Sequence, residues 1–259
     1  MIKLRGWIIM AGLFLSLTGC AGKNESTEQS LSSSSAPIQV SSTSQSSSET
    51  TSSSMEVKAD GPAWETGTLL RAVEDKDMAL VEKVIQNTKN LDEVNDKQET
   101  PLMIAVHNNQ IDIAKLLIDA GADINKQDSI KDTPYLYAGA EGRTEILKYM
   151  LEHAEPNNKI YNRYGGNAII PAAEKGHLEN VKLLIADGRE DINHQNNFNY
   201  TALIEAVALS DGSKTQQDIV QALVDAGADT KLKDNNGQTA EDYARAKGYQ
   251  NMLKIIEKK

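Results

Sequence analysis

The 259-residue sequence predicts an all-α solenoid of about six stacked helix-turn-helix units with projecting turn fingers. Three observations carry that prediction. A capping residue recurs at Thr100, Thr133, Asn167 and Thr201 with steps of 33, 34 and 34 residues, followed by a longer step of 38 to Thr239. Each return opens a short apolar stretch, a polar break and a second apolar stripe at spacings of 3 and 4, the pattern of two short amphipathic helices. Aromatics make up only 5% of the chain, so a thin, extended core of Leu, Ile, Val and Ala is favoured over one thick globule.

The first segment reads as an address. Lys3 and Arg5 precede the apolar run WIIMAGLFLSL and the small residues before Cys20, the layout of a secretory signal over residues 1–19. The run is too short to span a bilayer, which takes about 20 helical residues. Leu17-Thr18-Gly19-Cys20 resembles a bacterial lipobox, which implies a lipid on Cys20 as the first residue of the mature chain; an ordinary signal peptide with an incidental cysteine is the alternative. Residues 20–60 collapse to Ser, Thr, Gln and Glu, too apolar-poor to offset the entropy of ordering, so they are expected to be a disordered tether. A flexible coil of that length spans about 35 Å root-mean-square. Its serines permit O-glycosylation without establishing it.

The repeats fill residues 61–259, with units near 67–99, 100–132, 133–166, 167–200, 201–238 and 239–259. Thr100 is suited to accept a hydrogen bond from a free helix N–H, and Pro101 at the first helical position gives up no needed donor. Ala105 recurs as Ala72, Ala138, Ala172, Ala206 and Ala244, where a small side chain lets helices approach closely. Ile113, Leu116 and Leu117 make the apolar stripe of a second helix, and Gly121, Gly188 and Gly227 are placed to end such helices in a left-handed conformation. The period with T-P-L-x-x-A and G-A-D resembles the ankyrin repeat family, and IPAAEKGH followed by TALIEAVALSDG resembles a bacterial subset of it. Departures are expected at three places. The third unit has HAEPNN where others have G-A-D, so its second helix should end differently at Pro156. Pro171, four residues after the expected cap Asn167, should cost one backbone bond. About five extra residues, within 210–215, should form a loop.

Chemistry is sparse. The formal charge of −10, two units more acidic once residues 1–19 are removed, argues against nucleic acid and against a polybasic membrane patch. A single cysteine excludes internal disulfides. His107, His153, His177 and His194 form no H-x-x-x-H or H-E-x-x-H spacing, so neither a metal nor a cofactor is expected. Gly165-Gly166 lacks the G-K-S/T of a phosphate loop, and Glu190-Asp191 is expected to be a solvated loop pair. No nucleophile–base pair is evident, so the chain is not expected to be an enzyme.

What remains is the surface that stacking creates. The resemblance implies that partners meet the fingertips and the concave face of the first helices. One tip column reads Ile130, Tyr164, Phe198, Asn236, flanked by columns holding Tyr161 and Tyr200; the helix column offers His107-Asn108, Glu141 and Glu174-Lys175. Tyr161, Tyr164, Phe198 and Tyr200 are the expected anchors, since aromatic residues dominate interface hot spots. Packing of finger against finger is the competing role, weighed evenly for Tyr164 and Phe198 and lower for Tyr161 and Tyr200. The expected whole is a monomeric lipoprotein on the outer leaflet of a cytoplasmic membrane, in a Gram-positive bacterium, binding an unidentified protein. An immunity or inhibitor protein against a secreted toxin or enzyme, and an accessory to an envelope stress-protection enzyme, are the rival readings.

Overall fold

The computed structural model describes residues 64–258; Cys20, the apolar run and the Ser-rich stretch lie outside the described residues. Twelve helices and no strand occur among the described residues. They pair as α1 (Thr68–Glu74) with α2 (Met78–Ile85), α3 (Pro101–His107) with α4 (Ile111–Asp119), and α5 (Pro134–Ala140) with α6 (Thr144–His153). The series continues with α7 (Ile169–Glu174) and α8 (Leu178–Asp187), α9 (Ala202–Ala208) and α10 (Lys214–Asp225), and α11 (Ala240–Ala246) and α12 (Gln250–Ile256). Odd-numbered helices pack chiefly on their partners and on the neighbouring odd helices, and even-numbered ones likewise, giving two layers with one shared seam.

The sequence explains each start and stop. Thr100, Thr133 and Thr201 accept from the backbone N–H three residues on at 3.1, 3.0 and 3.1 Å, and Pro sits at the first helical position of α3 and α5. Thr239 adds a reciprocal box, its own N–H donating to Asp242 at 2.9 Å. The recurring alanine of the first helices is at most 1% exposed in all six units, so it sits where the helices come closest. Gly121, Gly188 and Gly227 adopt φ of 93°, 70° and 92°, the left-handed conformation expected of them.

Two units lack the threonine, and both solve the problem the same way. The carboxylate of Glu93 accepts from Gly67 N and Leu70 N at 2.7 and 3.2 Å, and that of Glu190 accepts from Ala168 N and Ile169 N at 3.1 Å each. A glutamate brought back from the loop after the second helix thus replaces the missing hydroxyl, with a negative charge where the helix dipole favours one. This corrects two expectations. Asn167 does not cap; its side chain donates to Asp191 O at 3.1 Å. Glu190 is not a solvated loop carboxylate: its backbone lies in the loop, but its carboxylate is enclosed and also accepts from the Tyr135 hydroxyl at 2.9 Å.

The other departures resolve in kind. Because α7 starts at Ile169, Pro171 falls in the first turn, where an N–H has no partner inside the helix, so no backbone bond is lost. α6 ends at His153 with Ala154 extended and Pro156 buried, and Arg189 of the next unit donates to Leu151 O at 2.8 Å near that end. The insertion is only partly a loop. Residues 209–213 join the helices, and the remainder lengthens α10 to 12 residues, started by the Ser213 side chain accepting from Gln216 N.

Substituting Leu117 or Leu184 by Ala, both at most 2% exposed, should cost about 2–5 kcal/mol in urea unfolding. Glu190→Ala should cost about 2–4 kcal/mol, because it removes a cap and leaves the Tyr135 hydroxyl buried without its acceptor.

Candidate functional site

Five fingers connect the units, and an asparagine or aspartate builds each of them. At Asn95, Asp128, Asn162, Asn196 and Asp234 the side-chain Oδ1 accepts from the backbone N–H groups two and four residues ahead, at 2.8–3.0 Å. The same residue's N–H donates to the carbonyl four ahead, closing a five-residue turn. Its fourth residue has positive φ in every finger: Gln98, Lys131, Gly165, Asn199 and Gly237. At Gly165 a Cβ would stand 2.4 Å from Asn197 Oδ1, so the next finger crowds that turn and a larger residue would displace the Asn197 side chain. The third residue is left at the tip, and the tips are Lys97, Ile130, Tyr164, Phe198 and Asn236.

Neighbouring fingers are tied together. Ser129, Asn197 and Asn235 donate their N–H to the tip carbonyls of Lys97, Tyr164 and Phe198 at 2.9, 2.9 and 3.1 Å. Gln127 and Gln195 reach across to the carbonyls of Tyr161 and Lys233 at 3.0 and 2.9 Å. Between the third and fourth fingers an aromatic stack takes over that task. Tyr161 lies on His194 with centroids 4.3 Å apart, and His194 Nε2 meets Gly165 O at 2.7 Å.

The predicted residues divide accordingly. Ile130, Tyr164 and Phe198 are 49%, 43% and 53% exposed; with Leu209 they are the exposed large hydrophobic side chains among the described residues. Tyr161 and Tyr200 are half-buried, Tyr200 lying edge-on to Tyr243 at 6.3 Å with the two hydroxyl oxygens 3.3 Å apart. Tyr161 thus packs on the next unit's loop and Tyr200 on α11, the two residues for which the sequence weighed packing lower, while Tyr164 and Phe198, for which it was weighed evenly, stand open at their tips. Arg163 covers one face of Tyr164 at 4.9 Å and pairs with Asp132 at 3.4 Å.

The first-helix face is charged and crowded. His107 is half-buried against Tyr137, its Nδ1 3.2 Å from Glu99, and burial lowers its pKa below the ordinary histidine value. Asn108 is exposed at the end of α3. Glu141 and Lys175 form an ion pair across the unit boundary. Burial raises the pKa of Glu174, against the pull of Lys175, and lifts Asp132 to about 6 against that of Arg163.

Sequence reasoning missed Glu205. It occupies the α9 position filled by Arg71, Ile104, Tyr137, Pro171 and Tyr243 in the other units, and it is 6% exposed whereas Arg71 is exposed. Asn196 Nδ2 donates to its Oε1 at 2.9 Å, while Oε2 is buried without a hydrogen bond. Burial, reinforced by nearby Glu174, raises its pKa to about 8. A carboxylate in a column that is otherwise aliphatic, proline or aromatic apart from Arg71 of the first unit was the available signal. The folded chain holds this proton between pH 4.5 and about 8 where the unfolded chain releases it, so the contribution is full below 4.5 and lost as pH rises toward 8. Glu205→Gln should therefore melt higher than the wild type above pH 8, and the difference should shrink toward pH 5 in calorimetric scans.

The comparisons with known proteins follow this geometry. A family model described as ankyrin repeats (3 copies) matches residues 69–160, 144–234 and 169–259. The putative ankyrin repeat protein YahD of Escherichia coli K12 is 38% identical over 162 residues, covering 62% of this chain and 80% of that protein. The crystal structure of EF0377, an ankyrin repeat protein, superposes with a TM-score of 0.74 at 60% identity, over 75% of this chain and 98% of that one. An ankyrin repeat domain from Acinetobacter baumannii AYE gives a TM-score of 0.71 at 42% identity, over 74% of this chain and 97% of that one.

Proposed function

Because the chain belongs to the ankyrin-repeat family, whose fold is typically a non-catalytic scaffold for protein–protein interaction, we propose that it presents this solenoid outside the cell as a lipid-anchored module that binds another protein. The observation that carries the binding reading is the row of Ile130, Tyr164 and Phe198, large apolar side chains held open on three successive tied fingers. Isolated exposed apolar residues are ordinary, but a row on fixed, adjacent turns is the kind of surface that partners cover. Tyr161 and Tyr200 serve it by fixing the fingers, and His107, Asn108, Glu141, Glu174 and Lys175 border it on the first-helix face.

The anchoring half rests on the apolar run and Leu17-Thr18-Gly19-Cys20 alone. The serine-rich stretch then serves as a tether that lifts the solenoid off the membrane.

Two experiments test the two halves separately. After crosslinking on intact cells identifies a protein partner, replacing Ile130, Tyr164 and Phe198 together by Ser should reduce its capture at least tenfold while melting stays within a few degrees; undiminished capture refutes the fingertip reading. Cys20→Ala should abolish incorporation of labelled palmitate and release the protein into the medium; label retained in that variant refutes the anchor.

A further inference from the structure

We propose that Glu99, His107 and Asp128 form a binding site for a divalent ion of the zinc class, at the junction of the first two fingers with α3. A ligand atom from each residue lies within 4.8 Å of the other two, and His107 Nδ1 is 3.2 Å from Glu99 Oε1. A tetrahedral ion bound at about 2.1 Å holds its ligands about 3.4 Å apart, so even the widest pair closes by no more than about 1.4 Å.

The two carboxylates are already held by second partners of the kind that orient metal ligands, and the imidazole is held by packing. Glu99 Oε2 accepts from Asn95 Nδ2 at 2.8 Å. Asp128 is 9% exposed, and its Oδ1 is fixed by Ile130 N and Asp132 N, both at 2.9 Å. The His107 ring rests against Tyr137 at 4.1 Å, and Arg143 donates to its carbonyl at 2.9 Å.

The fingers differ in what the second side-chain atom of the turn residue meets. The second side-chain atom of Asn95 meets Glu99, that of Asn196 meets Glu205, and that of Asp234 meets Tyr243, whereas those of Asp128 and Asn162 make no hydrogen bond; of these two, Asp128 is the charged and nearly buried one. At Asp128 both hydrogen bonds fall on one oxygen, and the nearly buried carboxylate stands beside an imidazole and a second carboxylate. The Glu99–His107 contact alone leaves that second oxygen unmet. Two carboxylates and one imidazole match the charge and softness of zinc, nickel or cobalt better than those of magnesium or calcium, which take oxygen sets. Three protein ligands leave a coordination position open for water or a side chain.

The test is calorimetric titration of the full-length chain with zinc chloride in a non-chelating buffer. Asp128→Asn is the informative variant, because asparagine builds the equivalent turn at Asn95, Asn162 and Asn196 while replacing the ligating oxygen by an amide nitrogen. One saturable site is expected, weakened tenfold or more in both Asp128→Asn and His107→Gln, with metal-free melting within a few degrees of wild type. Absence of saturable binding, or a loss below tenfold in either variant, overturns the proposal. Should Asp128→Asn prove destabilised, Glu99→Gln takes its place under the same threshold.

Discussion

The structure depends on how one unit finishes the next one's hydrogen bonding. The end of each first helix presents carbonyls toward the following unit, where a side chain donates to them. Gln110 reaches Val73 O at 3.0 Å, Arg143 reaches His107 O at 2.9 Å, and Asn180 reaches Ala138 O and Gly139 O at 3.0 Å each. Gln216 reaches Glu174 O at 2.9 Å, and Tyr249 reaches Ser210 O at 3.0 Å. A helix pair cannot bury both of its faces, and here it cannot complete its polar groups alone either. Stacking supplies both, so each unit's stability is tied to its neighbours.

The same logic extends outward to the fingers. Their turns are built by one Asx side chain apiece, and their edges are joined by backbone and amide bonds to the next finger. A tip residue is thereby held on a frame that extends into the helical seam. The backbone at Ile130, Tyr164 and Phe198 is therefore ordered when the chain folds, which would lower the entropic cost of any association made through these tips.

Where the repeat departs from its own pattern, a compensating residue stands nearby in space. Glu93 and Glu190 replace missing threonine caps, and Arg189 ties the glycine-free end of α6 to Glu155 and Asp187. The long turn between α9 and α10 is held where Tyr249 covers Gly212, whose absent Cβ would stand 2.7 Å from the ring. Glu205 is the exception. It places a buried carboxylate where four other units carry Ile104, Tyr137, Pro171 and Tyr243, and only one of its oxygens finds a donor.

Cap, period, apolar stripe and terminating glycine are local properties of the chain, and they determined the helix pairs, their order and the tip column, because each depends on residues within one turn or one repeat. Which aromatic stands free was decided only by stacking: Tyr161 finds His194 at a separation of 33 residues, while Tyr164, three positions on, finds Arg163 and open solvent. The role of Glu190 was equally invisible, since its helix N-terminus lies 21 and 22 residues upstream and a fold is needed to bring them together. Glu99, His107 and Asp128 match no spacing motif for the same reason. Periodicity fixes what a residue does within its own unit, whereas contacts across the seam follow from the side chain that the next unit happens to place there.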